Sequence, residues 1–273
     1  MEKTLTVVIG NPRGGEKAWN SMYRNLLEPY QSDLALCFGF NENKSHSLYS
    51  KAKYIWEVPE YEEWADYYVE NFGEGSWKQS FELGSKTGFS GLYGTIGSSA
   101  ITLALRHYLL KNKKEVLLNY DRIILTRSDH FYVQEHPILP NDFFWVPYGE
   151  EYGGISDRHH IFPSSDIDIV LGIIDNYVNT EYLIQDFWEM RDDPFYLNIE
   201  RSYVYYFNRI GYFNKVKKFP RVQFVVKSKD DTTRWLCKSE KNVPYNNDIF
   251  IKYDTEYEES IKNLFISNSF KKL

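Results

Sequence analysis

Apolar residues along the chain fall into short continuous runs divided by polar or glycine-containing stretches, and between the runs they recur at helical spacing. The runs are Leu5 to Ile9, Leu34 to Phe38, Tyr54 to Val58, Ile123 to Leu125, Phe143 to Pro147 and Val222 to Val226. Each is short and closed by turn formers, which predicts strands, Leu5 to Ile9 a buried one and Ile123 to Leu125 buried on both faces. Trp19, Met22, Tyr23, Leu26 and Leu27 keep the i, i+3, i+4, i+7, i+8 spacing of an amphipathic helix. Tyr61, Trp64, Ala65 and Tyr68 predict a second helix, and Ile101, Leu105, Tyr108 and Leu109 a third, with Lys111 to Lys114 at its carboxyl end, where the helix dipole favours positive charge. A fourth runs through Ile167, Val170, Leu171 and Ile174, with Ser164 or Ser165 as its N-cap; two more are expected over Glu181–Met190 and Ile199–Asn208. Strands alternating with helices predict an open α/β fold. The stretch from Phe72 to Gly97 is glycine-rich and irregular, either an active-site loop or ordinary surface structure, and the polar sequence after Trp235 yields no assignment.

Length and charge narrow the picture. A chain of 273 residues fits a single domain, 1–273, divisible into a first half, 1–130, and a second, 131–273, with a C-terminal elaboration. The net charge of −6 argues against a nucleic-acid surface, which needs a basic excess. Cys37 and Cys237 have neither metal-ligand spacing nor a disulfide framework, so a reducing, cytoplasmic setting is expected. No stretch approaches the roughly 20 apolar residues that a membrane-spanning helix needs, and the first apolar run is too short for a signal peptide. Aromatic residues make up 18% of the chain, which suits stacking on sugars or nucleobases but equally fits compositional bias.

Three polar clusters interrupt these elements where chemistry is expected. The first, Gly10 to Gly15, follows a strand and opens a helix; Pro12 and the glycines shape a turn whose N–H groups can hold phosphate, with Arg13 either adding a charged contact or simply solvated. The second ends the Ile123 to Leu125 strand with Arg127, Ser128 and Asp129. Ligands of open α/β sheets sit beyond the carboxyl ends of strands, so these side chains belong to a crevice; Arg127 and Asp129 either pair structurally or meet a ligand. The third, Ser156 to His160, follows Gly153 and Gly154 and holds Asp157, able to act as a general base or to cap a helix, with Arg158 and two imidazoles beside it. Neither a zinc site nor a nucleophilic triad is discernible.

Tyr120 to Asp129 resembles the "Tyr-Asp, apolar run, Thr-Arg-x-Asp" strand of GT-A-type nucleotide-sugar glycosyltransferases, and Gly153 to His159 resembles their downstream Gly-x-x-Asp-Arg segment. The opening Gly10 to Gly14 with Trp19, the Leu197 to Glu200 segment and Phe219 to Val222 fit in the same order, spanning most of residues 5–235. The chain looks most like the small cytoplasmic members encoded by large algal viruses, the chloroviruses. The resemblance implies a GT-A-like (Rossmann-like) fold, α/β with a mixed, mainly parallel sheet flanked by helices, a nucleotide-diphosphate-sugar donor of the UDP-xylose or UDP-glucose type, and a hydroxyl of a growing glycan as acceptor. It implies donor contacts from Gly10, Pro12, Arg13, Gly14, Arg127, Ser128, Asp129 and Arg158, and acceptor or sugar contacts from Gly153, Gly154 and Glu200. Asp157 is the expected base of an inverting transfer, with Asp129 and His159 beside it. Most such enzymes carry Asp-x-Asp; here Arg127 replaces the first acid, which leaves open whether Asp129 holds Mn2+ or Mg2+. A non-catalytic nucleotide- or carbohydrate-binding protein on the same fold is the alternative.

Overall fold

The computed structural model describes residues 2–40, 44–75, 77–78, 99–190, 199–229, 242–243 and 246–270. Its strands are β1 (Thr4–Gly10), β2 (Asp33–Gly39), β3 (Tyr54–Val58), β4 (Arg122–Thr126), β5 (His130–Tyr132), β6 (Phe144–Pro147), β7 (His160–Pro163), β8 (Val216–Phe219), β9 (Gln223–Ser228), β10 (Asn242–Val243) and β11 (Asn246–Ile251). Its helices are α1 (Gly15–Met22), continued by a π turn over Tyr23–Leu27, then α2 (Ser47–Lys51), α3 (Ala65–Phe72), α4 (Ser99–Leu117), α5 (Ile167–Leu171), α6 (Asp175–Val178), α7 (Thr180–Met190), α8 (Ile199–Arg209) and α9 (Asp254–Phe270). Every predicted apolar run is a strand or lies within one, give or take a residue at its ends.

Seven strands form one sheet in the order β3-β2-β1-β4-β7-β6-β8. β3, β2, β1 and β4 run parallel, as do β6 and β8, while β7 lies antiparallel between β4 and β6. The sheet is thus mixed and mainly parallel, as expected. Successive side chains of a strand point to opposite faces, and both faces are apolar here: Leu5, Val7 and Ile9 enter one core with Leu103 and Leu109 of α4, whereas Val8, Leu34 and Leu36 enter the other with Trp19 and Met22 of α1. Burying each such aliphatic side chain contributes roughly 1.5–3 kcal/mol, which is why the short runs need no polar face.

A second, antiparallel sheet, β10-β11-β9-β5, leans over the carboxyl ends of β1 and β4. The backbone N–H of Val226 in β9 donates to the carbonyl of Asp129 at 2.8 Å, joining the two sheets where β4 ends. α9 covers this second sheet with a polar stripe. Val225 N–H donates to Glu256, the Ser260 hydroxyl to the carbonyl of Gln223 and the Asn263 amide to the carbonyl of Arg221, at 2.9, 3.0 and 3.0 Å.

Two local expectations are corrected. The helix expected through Ile167 and Ile174 is broken: Ser164–Asp166 and Gly172–Ile174 are 3-10 turns flanking the short α5, and neither Ser164 nor Ser165 caps it by its side chain. Gly172, at the break, has the Tyr206 hydroxyl 3.3 Å from where a Cβ would stand, and Ile167, Val170, Leu171 and Ile174 are all buried. His160, expected on a connecting loop, begins β7. Most of the glycine-rich stretch up to Gly97 lies outside the described residues. Among the described residues no helix is long and apolar enough to cross a membrane.

Candidate functional site

The chain leaves β1 toward β2 on one side, while β4 lies on the other, so the carboxyl ends of β1 and β4 form a topological switch point. The two loops leaving it are stitched together. Ser128 Oγ donates to the carbonyl of Asn11 at 2.6 Å and accepts the N–H of Arg13 at 2.9 Å; Trp19 Nε1 donates to the carbonyl of Arg13 at 2.7 Å. Gly14, at φ +82°, passes so near β4 that a Cβ would stand 3.0 Å from the Asp129 Cα. Gly10 is also left-handed, at φ +108°, and Pro12 is half-buried between the two glycines. The structure therefore brings Arg13, Ser128 and Asp129 together at the crevice.

Asp129 is buried and doubly held: Arg127 Nε and Nη2 donate to its two oxygens at 2.9 and 2.5 Å. Burial alone would raise its pKa, but the Arg127 guanidinium outweighs burial and the carboxyl titrates well below the usual range. Lys252, just past β11, lies in the same field: its backbone N–H donates to the carbonyl of Val225, and burial followed by the charges of Arg127, Arg158 and Arg13 brings its ammonium down to about 8 despite Asp129. Arg158 is buried behind them, with Nη1 3.0 Å from Glu256, Nη2 donating to the carbonyl of Glu150 at 2.9 Å and the Tyr253 ring 4.7 Å from its guanidinium carbon. Glu256 also receives Arg221, whose remaining nitrogens donate to the carbonyls of Tyr148 and Gly149, both at 2.6 Å. One fully buried carboxylate thus matches two guanidiniums and anchors the start of the glycine loop.

That loop is wound through left-handed conformations at Gly149, Glu150, Tyr152 and Gly153. For Glu150 and Tyr152 this costs roughly 1–2 kcal/mol each, offset by the Arg158 and Arg221 contacts to the loop. Gly154 lies flat on the first turn of α8: Ile155 N–H donates to the Glu200 carbonyl at 2.9 Å, and a Cβ on Gly154 would stand only 2.0 Å from that oxygen. Arg201 fastens the same contact from the other side by donating to the carbonyl of Gly153 at 2.7 Å. The docking brings Asp157 into the field of Glu200. Burial, then the Asp157 charge, pushes the Glu200 carboxyl up to about 8, so it keeps its proton at neutral pH. Arg106, buried on α4, donates to the carbonyl of Asp157 at 2.5 Å and so fixes its backbone.

His159 is placed elsewhere. It is fully buried, sharing a 2.9 Å hydrogen bond with Thr126 through Nδ1 and packing at 5.2 Å from His136 and 5.8 Å from Phe219, centroid to centroid. Burial and the neighbouring histidines hold it neutral. It supports the end of β4 from below and does not line the crevice.

A divalent ion does not fit these residues. Both oxygens of Asp129 are taken by Arg127, the surrounding charges are positive, and among the described residues no three His, Cys, Asp or Glu side chains converge as ligands. Sequence reasoning missed Lys252, Tyr253 and Glu256, because they belong to a polar stretch without apolar periodicity.

No family model and no curated protein matches the chain. Among solved structures, it is similar to apo mouse xyloside xylosyltransferase 1, at 13% identity over 80% of this chain and 85% of that one, with a TM-score of 0.45. It is also similar to the apo bifunctional glycosyltransferase WbbM, at 12% identity over 80% of this chain and 39% of that one, with a TM-score of 0.34.

Proposed function

We propose that this chain is a glycosyltransferase that moves a sugar from a nucleoside-diphosphate donor to a hydroxyl of a glycan. The observation that carries the reading is the convergence of Arg13, Arg127 and Lys252 around Asp129 at the switch point, an excess of positive charge on a chain whose net charge is −6. Such a crevice suits a diphosphate, which accepts charge-assisted hydrogen bonds from guanidinium and ammonium groups. Uridine diphosphates of xylose and glucose are the first donors to test.

In this scheme the acceptor oxygen attacks the anomeric carbon as the bond to the diphosphate breaks, and the bonding pair leaves with the phosphate oxygen. The acceptor's proton passes to Asp157. Glu200 stays protonated at neutral pH and so offers no base; Asp157 takes that role, inverting the anomeric centre. The leaving diphosphate accumulates negative charge beside Arg13 and Arg127, which stabilise it without reorganising. Arg158 acts at one remove, since it is buried against Glu256.

Replacing Asp157 by Asn keeps the side chain's size and removes its basicity. We expect transfer to fall about 100-fold or more while the affinity for nucleoside diphosphate stays within about twofold of the native value. A nucleotide-sugar panel, read for hydrolysis and for transfer, together with titration calorimetry, checks both. Normal turnover by Asp157→Asn, or a product that retains the donor's anomeric configuration, excludes Asp157 as the base.

A further inference from the structure

The chain after β11 reaches the switch point from the far end of the sequence. Ile251 pairs with Val226, whose N–H holds the Asp129 carbonyl, and the next residue, Lys252, bonds by its own N–H to Val225. The end of β9 meanwhile approaches α1: a Cβ on Gly15 would stand 3.3 Å from that of Ser228. β9 and β11 therefore roof the crevice, and Lys252 is the residue they deliver to it. The charged groups facing it come from three other segments: Arg13 from the loop after β1, Arg127 and Asp129 from the end of β4, and Arg158 from the glycine loop, with Tyr253 beside it on its own segment.

We propose that Lys252 binds the donor's diphosphate and, with Arg127, takes the charge-neutralising place that a divalent ion would otherwise fill. The proposal rests on the glycosyltransferase reading and deepens it. Two features beyond the position of Lys252 support it. Arg127 occupies both oxygens of Asp129, and a metal there would enter a field already positive from several directions. A buried ammonium ringed by guanidiniums gains strongly from an arriving anion, because the anion offsets both its lost hydration and the repulsion of its neighbours.

Titration calorimetry with UDP, GDP and ADP, each in EDTA and in Mn2+, on native protein, Lys252→Gln and Lys252→Arg tests this. The native chain should bind at least one diphosphate in EDTA, with Mn2+ changing the affinity less than threefold. Lys252→Gln should bind about tenfold more weakly or worse, and Lys252→Arg should come within about threefold of native. Raising the pH from 7 through 8.5 should weaken native binding as the ammonium loses its proton and leave Lys252→Arg unchanged, a readout that a merely structural lysine would not give. The pH series on native protein stands even where Lys252→Gln folds poorly. Binding that requires Mn2+, or an unaltered affinity in Lys252→Gln, overturns the role of Lys252 while leaving the transferase reading in place; a native chain that binds no diphosphate under either condition overturns both.

Discussion

Glu200 shows how much one misplaced proton weighs in this protein. Its folded pKa is raised to about 8 by burial and by Asp157, against about 4.3 in an unfolded chain. Between those values the folded state keeps a proton that the unfolded state has released. Stability from this residue is therefore complete below about pH 4 and is lost as pH rises toward 8, by an amount on the order of 5 kcal/mol if the whole shift is expressed. Glu200→Gln preserves the shape and removes the charge, so it should stabilise the fold by a few kcal/mol at pH 8 and make little difference near pH 4.5. Urea unfolding at the two values measures this; a variant destabilised equally at both would mean that the native carboxyl is ionised and paired. Residues of this kind were legible in the sequence when they closed an apolar run, as Arg127 and Asp129 do, or followed a glycine pair, as Asp157 does. The pairing of Asp157 with Glu200 was not, because it is made by the docking of a loop on a helix 43 positions further along the chain.

At the scale of elements, that docking depends on a backbone contact with no room for a side chain. Gly154→Ala would place a Cβ 2.0 Å from the Glu200 carbonyl, against backbone that cannot rotate away. We expect a loss of about 3 kcal/mol, at the upper end of overpacking costs, and a fall in transfer larger than any fall in nucleotide affinity, since the loop must lift and carry Asp157 with it. Gly211→Ala provides the control: its φ is +70° but nothing lies within 4 Å, so it should cost only the roughly 1–2 kcal/mol of a left-handed alanine. Denaturant midpoints of the two variants, together with transfer rates, separate steric conflict from backbone strain. The elements most legible in the sequence were those whose burial is apolar on both faces, β1, β2 and β4 above all. α9 escaped because its inward face is Glu256, Ser260 and Asn263, held by hydrogen bonds to β9 and to Arg221, a pattern that hydrophobic periodicity cannot register. β5, β7 and β8, of three or four residues each, are too short for periodicity to declare, and β7 owes its place to pairing with β4.

For the whole molecule, a formal charge of −6 conceals a positive crevice and a neutral, histidine-lined interior. His130, His136, His159 and His160 are all buried around the sheet's carboxyl edge, and burial lowers each: His130 to about 3, His136 to about 4, the other two well below the ordinary value. In the unfolded chain these rings protonate near pH 6.5. Below that pH the unfolded state therefore binds up to four more protons than the folded one, and stability falls as pH decreases, by roughly 1.4 kcal/mol per pH unit for each ring. Glu200 works in the opposite direction above pH 4.5, but as one group against four. The two trends cross where the histidines have lost their protons in both states, so stability should peak between about pH 6.5 and 7 and fall steeply toward pH 5. Thermal unfolding from pH 5 to 8 tests this, and His136→Gln should flatten the acid limb by about one proton's worth of slope. A melting temperature that is level down to pH 5 would mean that these rings take up protons in the folded state, and that the packing of His159 between His136 and Phe219 is not the ground state of the edge that carries Asp129.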